Sequence, residues 1–227
     1  MNHLARISIV VVAACALLIS ANAEAARKAK DLLQYIPEDT PYVMAFTKPL
    51  PDDLMDKFEP AVDQTLSAYR RILQYHMSEQ MVELSSQEGG AEQAEQLQSF
   101  MDEILSLMSI EGLRKAGMGR DALFAVYGDG LLPVFRIALS NRAQFDAAIE
   151  RIESKASEEL PTARVSGASY RYLDLDEMRV VIATLGDDAV ISLVPATVDD
   201  ERLSQTLGLT KPRKNLAKSK TLKNINK

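Results

Sequence analysis

The chain has 227 residues, a formal net charge of −6, 47% apolar residues, one cysteine and two histidines. The acidic balance argues against nucleic acid as a partner for the whole chain. So small a stock of Cys and His excludes thiolate-cage metal sites and multi-histidine zinc centres.

The first six residues, MNHLAR, carry Arg6 and no acid, and from Ile7 to Ile19 only Ser8 is polar. These are the n-region and h-region of a secretory signal peptide. Ala21 and Ala23 form an A-x-A arrangement before Glu24, which predicts cleavage after Ala23; Ala23-Glu24-Ala25 offers cleavage after Ala25 as an alternative. A run of about 13 residues is shorter than the roughly 20 a spanning helix needs. Val12-Ala13-Ala14-Cys15 resembles a lipobox, so a lipoprotein anchored at Cys15 is an alternative. Against it, Ala16 to Ile19 would put an apolar stretch where a polar tether is usual. Removal of residues 1–23 leaves a chain without cysteine, with His76 as its one histidine and one unit more negative. Such an exported chain has no disulfide and no cysteine chemistry, and packing must hold it.

Tyr42 to Thr47, bounded by Pro41 and Pro49, reads as a buried strand. Pro51, Asp52 and Asp53 open a helix, and Val62, Leu66, Tyr69, Leu73, Met77, Met81 and Leu84 recur at three- and four-residue steps on one helical face. Ser85 to Gly90 breaks this helix. Leu97, Met101, Ile104, Leu105 and Met108 form a second stripe, so the two helices are expected to fold back as an αα-hairpin. A short helix from Ile110, capped by Ser109 and stopped at Gly117, follows. From Asp121, ALFAVY, the turn Gly128-Asp129-Gly130 and PVFRIAL read as a β-hairpin. Ser140 then caps a helix with Phe145, Ala148, Ile149 and Ile152 on one face, and Pro161 ends that region. Strands are expected at SYRYLDL, RVVIATL and AVISLV, and a last helix from Val198 to Leu207 with Gly208 as its cap.

Strand, turn and helix recur at YVMAFTKPLPDDL, VFRIALSNRAQF and AVISLVPATVDDERL, a weak sign of a repeated unit. Up to Leu175 the element order is strand, helices, strand, strand, helix, strand, the split βαβ order of ferredoxin-like domains. The expected fold is α+β: an antiparallel sheet covered by helices, with the long αα-hairpin in the first crossover and a β-hairpin and helix added on the C-terminal side. The expected organisation is a signal peptide over 1–23 and a single domain over 24–210, with the helical hairpin inserted at about 52–109. Residues 211–227 would be a basic tail or the start of a further module. After Glu201 there is no acid but eight Lys or Arg, so this end could touch a lipid or membrane surface; the absence of interleaved aromatics favours a solvated tail.

At YIPEDTPYVMAFTKPLPDDL and FAVYGDGLLPVFRIALSNRAQFDAAIERIE the chain resembles uncharacterised exported proteins of Gram-negative bacteria. Their pattern is an I-P-x-D-T-P-Y-V strand opening followed by a G-x-x-P-V hairpin. The resemblance implies a periplasmic location and a further C-terminal module in that group. It implies no activity, and no catalytic residue carries over.

The residues favour a non-catalytic protein over an enzyme. His76 borders the apolar stripe with no G-x-S-x-G beside it. His76, Met77 and Met81 form a low-ranking Cu(I) candidate of imidazole and thioether ligands, opposed by the ordinary use of methionine as core filler. Acids at Asp52-Asp53, Asp174-Asp176-Glu177, Asp187-Asp188 and Asp199-Asp200-Glu201 sit at turns and helix starts, where capping explains them. No cofactor is expected. The leading expectation is an interaction or structural module of the periplasm with envelope proteins as partners. The alternatives are a carrier or sensor of an apolar ligand using the Met/Leu-lined hairpin, and a carboxylate-based hydrolase.

Overall fold

The computed structural model describes residues 32–219 except 49, 88, 89, 121, 157 and 158, so Cys15, Ala23 and the lysines after Ser219 lie outside the described residues. The chain divides into two compact units. The first contains 51–118 and 143–160, and the second contains 32–50, 119–142 and 161–219. Where the sequence suggested one domain with an insertion, the inserted helices cluster with residues 143–160 as a unit of their own.

In the first unit, α1 (Asp52–Ser85) and α2 (Gly90–Ser106) are the two arms of the expected hairpin. Asp52 and Asp53 lie in the first turn of α1, where a carboxylate suits the free N–H groups and the dipole. Pro60 removes one amide donor from its interior. Leu66 and Leu73 of α1 and Met101 and Leu105 of α2 are buried, as the stripes read from the sequence predict, and Met55 and Ala94, outside those stripes, are buried with them. Tyr69 differs: expected in the stripe, it is exposed, since its position is offset by about 40° from Leu73 at 100° per residue, toward the flank. α3 (Ile110–Lys115) is capped as predicted, Ser109 Oγ accepting from Gly112 N–H at 2.9 Å, and Gly117 at φ +78° ends it. Asp63 Oδ1 on α1 accepts from Ile110 N–H at 2.9 Å, satisfying one of the amides a helix start leaves free. α4 (Arg142–Lys155) is tied to α2 by the Arg151–Glu103 ion pair at 2.9 Å.

The second unit is a seven-stranded, fully antiparallel sheet. Its strands are β1 (Val43–Phe46), β2 (Phe124–Asp129), β3 (Leu132–Ala138), β4 (Thr162–Val165), β5 (Ala168–Leu175), β6 (Met178–Leu185) and β7 (Asp188–Pro195). The α+β class is therefore what the structure shows. The strand order, β1-β2-β3-β7-β6-β5-β4, does not confirm the ferredoxin-like expectation. That order brings the first strand into the sheet interior, whereas here β1 is at an edge with β2 as its neighbour. The pairings are instead hairpins, β2–β3, β4–β5, β5–β6 and β6–β7, joined by the long-range β3–β7 pair. β4 was not expected, because TARV is too short and too polar to stand out as a strand.

The period-two register puts Ala125, Tyr127, Val134, Ala138, Val181, Ala183, Val190 and Val194 on one face, where they form a core with Leu32, Ile36, Leu203 and Leu207. Leu203 belongs to α5 (Asp200–Thr206), whose N-cap Asp199 accepts from Arg202 N–H at 2.7 Å, and Gly208 at φ +77° terminates it. Residues 211–219, expected to be a tail or the start of a further module, cluster with this unit. Pro37 bridges Asn215, Leu216 N–H donates to Ile36 O at 3.0 Å, and Asn215 and Ser219 are buried.

The two segments that carried the family resemblance meet at the β1–β2 end. Thr40 Oγ1 accepts from Gly128 N–H at 3.1 Å and lies 2.8 Å from Gly128 O and 2.9 Å from Tyr42 O. Gly128 admits this approach because a Cβ there would fall 2.5 Å from Gly130 O and 2.8 Å from Pro41 Cγ. Thr40 of the first motif is thus held by backbone geometry at the start of the β2–β3 turn.

Candidate functional site

Two features stand out, one in each unit. On the core face of the sheet lies a polar cluster around Arg136, a residue of β3 whose side chain is only 1% exposed. Its Nη1 donates to Asp188 Oδ2 of β7 at 2.9 Å, and its Nη2 donates to the Leu207 carbonyl at the C-terminus of α5. The guanidinium lies 3.9 Å from the Tyr35 ring centroid, and Lys211 Nζ lies 4.9 Å from the same centroid. Arg136 Nε and the Tyr127 hydroxyl are buried with no hydrogen-bond partner among the described residues. Burial pushes the Tyr127 phenol above its ordinary value, against the opposing charge of Arg136. Nearby, Asp129 accepts from Arg202 and, at 2.5 Å, from Thr206 Oγ1, both on α5. Strand parity explains the grouping: Asp129, Arg136 and Asp188 all project from the same face as Tyr127.

This cluster is a set of ties. The donors of Arg136 are aimed at a carbonyl and a carboxylate of the protein itself, so they hold α5 and the Tyr35 segment onto the sheet. Sequence reasoning read PVFRIAL as a strand and missed Arg136. The signal was there: a single Arg at an inward position of an otherwise apolar strand needs partners if it is to be buried.

In the first unit, α1 carries apolar side chains outside its packed stripe. Leu54, Phe58, Tyr69 and Ile72 are 48%, 38%, 45% and 53% exposed. At about 100° and 1.5 Å per residue they fall within an arc of about 60° and extend over about 27 Å of helix. Tyr75 and Val82 are exposed as well, about 60–80° further round from Ile72 and opposite the packed stripe.

His76 is exposed, its ring edge-on to Tyr75 at a centroid distance of 5.7 Å. Met77 and Met81 are half-buried. Helical geometry sets His76 and Met81 about 140° apart around the axis. Among the described residues no group of three or more His, Cys, Asp or Glu side chains is placed to hold a metal ion. Three of the acidic residues are engaged within the protein: Asp174 pairs with Arg179 at 2.7 Å, Asp188 with Arg136, and Asp199 caps α5. No helix among the described residues is long and apolar enough to cross a membrane. The chain matches no protein-family model, no curated protein and no solved structure in comparisons with each.

Proposed function

We propose that this is an exported, non-catalytic interaction or structural module of the periplasm, which meets an envelope protein through the outer flank of α1. The observation that carries the reading is the row Leu54, Phe58, Tyr69 and Ile72, exposed on a helix that already buries a separate stripe. Single exposed apolar residues are ordinary, but two pairs on one flank, Leu54/Phe58 and Tyr69/Ile72, alongside a satisfied packing face mark a surface for association. The location rests on the signal-peptide pattern before Glu24. Met55, Leu66, Leu73, Met101 and Leu105 are spent on packing, which supports association over carriage of an apolar ligand in the hairpin interior.

The test is a photo-crosslinking residue at position 72 of the full chain, expressed in cells, with mass spectrometry of the adducts. A discrete envelope-protein adduct is expected from position 72, with none from exposed position 92 on α2. The double substitution Tyr69→Glu/Ile72→Glu should abolish competition by unlabelled protein and change stability by less than about 1 kcal/mol. The absence of any protein adduct, together with co-purified lipid, would overturn the reading.

A further inference from the structure

β1 ends the sheet, so one of its edges has no neighbouring strand among the described residues. Which backbone groups that edge offers follows from the ladder. Gly128 N–H donates to Tyr42 O at 3.1 Å, and the register places these two residues directly opposite. They are therefore a hydrogen-bonded pair. By the alternation of antiparallel ladders, Met44 and Phe46 also turn their amides and carbonyls toward β2, and Val43 and Ala45 turn theirs outward. The edge is also apolar in its side chains, since Tyr42, Val43 and Met44 are all exposed.

Edge strands are commonly blunted by lysine, an inward-pointing charge or proline. Thr40 to Thr47 carries no charge, and its one proline, Pro41, lies outside the paired residues Val43–Phe46. The charges stand at its two ends and are opposite in sign: Glu38 and Asp39 precede it, Lys48 follows it, and all three are exposed. A parallel partner of the same sequence would set like charges together. An antiparallel partner of the same sequence sets the acidic end of each copy near the lysine of the other.

We propose that β1 is a homotypic docking edge. A second copy of this chain adds its own β1 antiparallel across a two-fold axis at Met44, so that Val43 of each copy pairs with Ala45 of the other. The contact is isologous, hence closed at two copies. It provides about four backbone hydrogen bonds and covers the exposed side chains beside them. It uses the second unit and does not depend on the α1 flank having a partner.

The experiment is sedimentation equilibrium of the full mature chain over a concentration series, comparing the natural sequence with Ala45→Pro. Proline at 45 removes an outward N–H that β2 does not use, so the sheet tolerates it while the partner loses a donor. The natural chain is expected to show a monomer–dimer equilibrium that weakens with added salt. Ala45→Pro is expected to raise the dissociation constant at least about tenfold. Amide exchange gives a second readout on the unsubstituted protein. Val43 and Ala45 should exchange slowly when concentrated and rapidly on dilution, while Met44 and Phe46 stay protected throughout. A chain monomeric at every concentration overturns the proposal, as does a dimer in which the Val43 and Ala45 amides exchange independently of concentration. Protection of those amides only on adding envelope extract also overturns it, in favour of a foreign strand. If Ala45→Pro does not fold, the exchange pattern decides. A failed crosslink at position 72 leaves all these outcomes unchanged, so the two readings fail separately.

Discussion

Replacing Arg136 and Asp188 singly and together tests whether the buried cluster is a coupled tie. Arg136→Met keeps most of the side-chain stem but removes the guanidinium. The Leu207 carbonyl is then left without its donor, at about 1–3 kcal/mol, and the stack on Tyr35 goes at about 1 kcal/mol. The Asp188 side chain is 21% exposed, so water partly compensates the stranded carboxylate and its share is about 1 kcal/mol or less. The expected net loss is about 3 kcal/mol. Asp188→Ala strands the opposite charge at 1% exposure, where water cannot reach it, and a loss of about 3–5 kcal/mol is expected. In Arg136→Met/Asp188→Ala no buried charge is left unpaired, so the loss should fall short of the sum by at least about 2 kcal/mol. Urea unfolding followed by near-UV tyrosine dichroism reads this directly. The chain has no tryptophan, and Tyr35, Tyr42, Tyr127, Tyr170 and Tyr172 all lie in the second unit. Additive losses, or an Arg136→Met change within about 0.5 kcal/mol of zero, would refute the reasoning.

Two further expectations follow from the same region. Gly208 has φ +77°, and a Cβ there would clash with Arg136 Nη2 and lie 2.8 Å from Tyr35 Cδ1. Gly130 at φ +60° has open space around it. Gly130→Ala should therefore cost only the left-handed penalty of about 1–2 kcal/mol, and Gly208→Ala distinctly more, about 2–4 kcal/mol; equal losses in urea unfolding would show that the close approach at Gly208 is immaterial. Tyr127→Phe removes a hydroxyl that is buried without a partner, so stability at neutral pH should be unchanged or rise by up to about 1 kcal/mol. The folded state holds the Tyr127 proton more tightly than the unfolded state, whose phenol titrates near 10.0. Stability is thus unaffected by this group below that pH and falls as pH rises through it, when the unfolded phenol ionises and the folded one does not. Melting curves on either side of pH 10 should show a shallower alkaline loss for Tyr127→Phe; an identical loss in both proteins would contradict the burial of the phenol.

Much of the local structure was legible in the residues. Ser109, Gly117, Asp199 and Gly208 mark helix ends through their own side chains or their tolerance of positive φ, and the Gly128-Asp129-Gly130 turn lies between two apolar runs. The alternation in β2, β3, β6 and β7 and the stripes of α1 and α2 are likewise local patterns. Arg136 was legible as a position but not as a site, because its partners are 52 and 71 residues away in the chain.

The sequence by itself determined most of the helices and strands, β4 excepted, where most of them stop, and the absence of cysteine or multi-histidine chemistry after residue 23. Those properties depend on a residue and its near neighbours. Tertiary structure alone decided that YVMAF is an exposed edge rather than a buried strand, that Tyr69 leaves the packed stripe, and that residues 211–219 join the second unit. It also decided that β3 pairs with β7. An apolar run fits an edge as well as an interior, and loop closure changes only slowly with length, so no local preference selects among strand orders. The choice falls to which buried faces and polar groups satisfy one another, and here Arg136, Asp188 and the Leu207 carbonyl do so on one side of the β3–β7 pair.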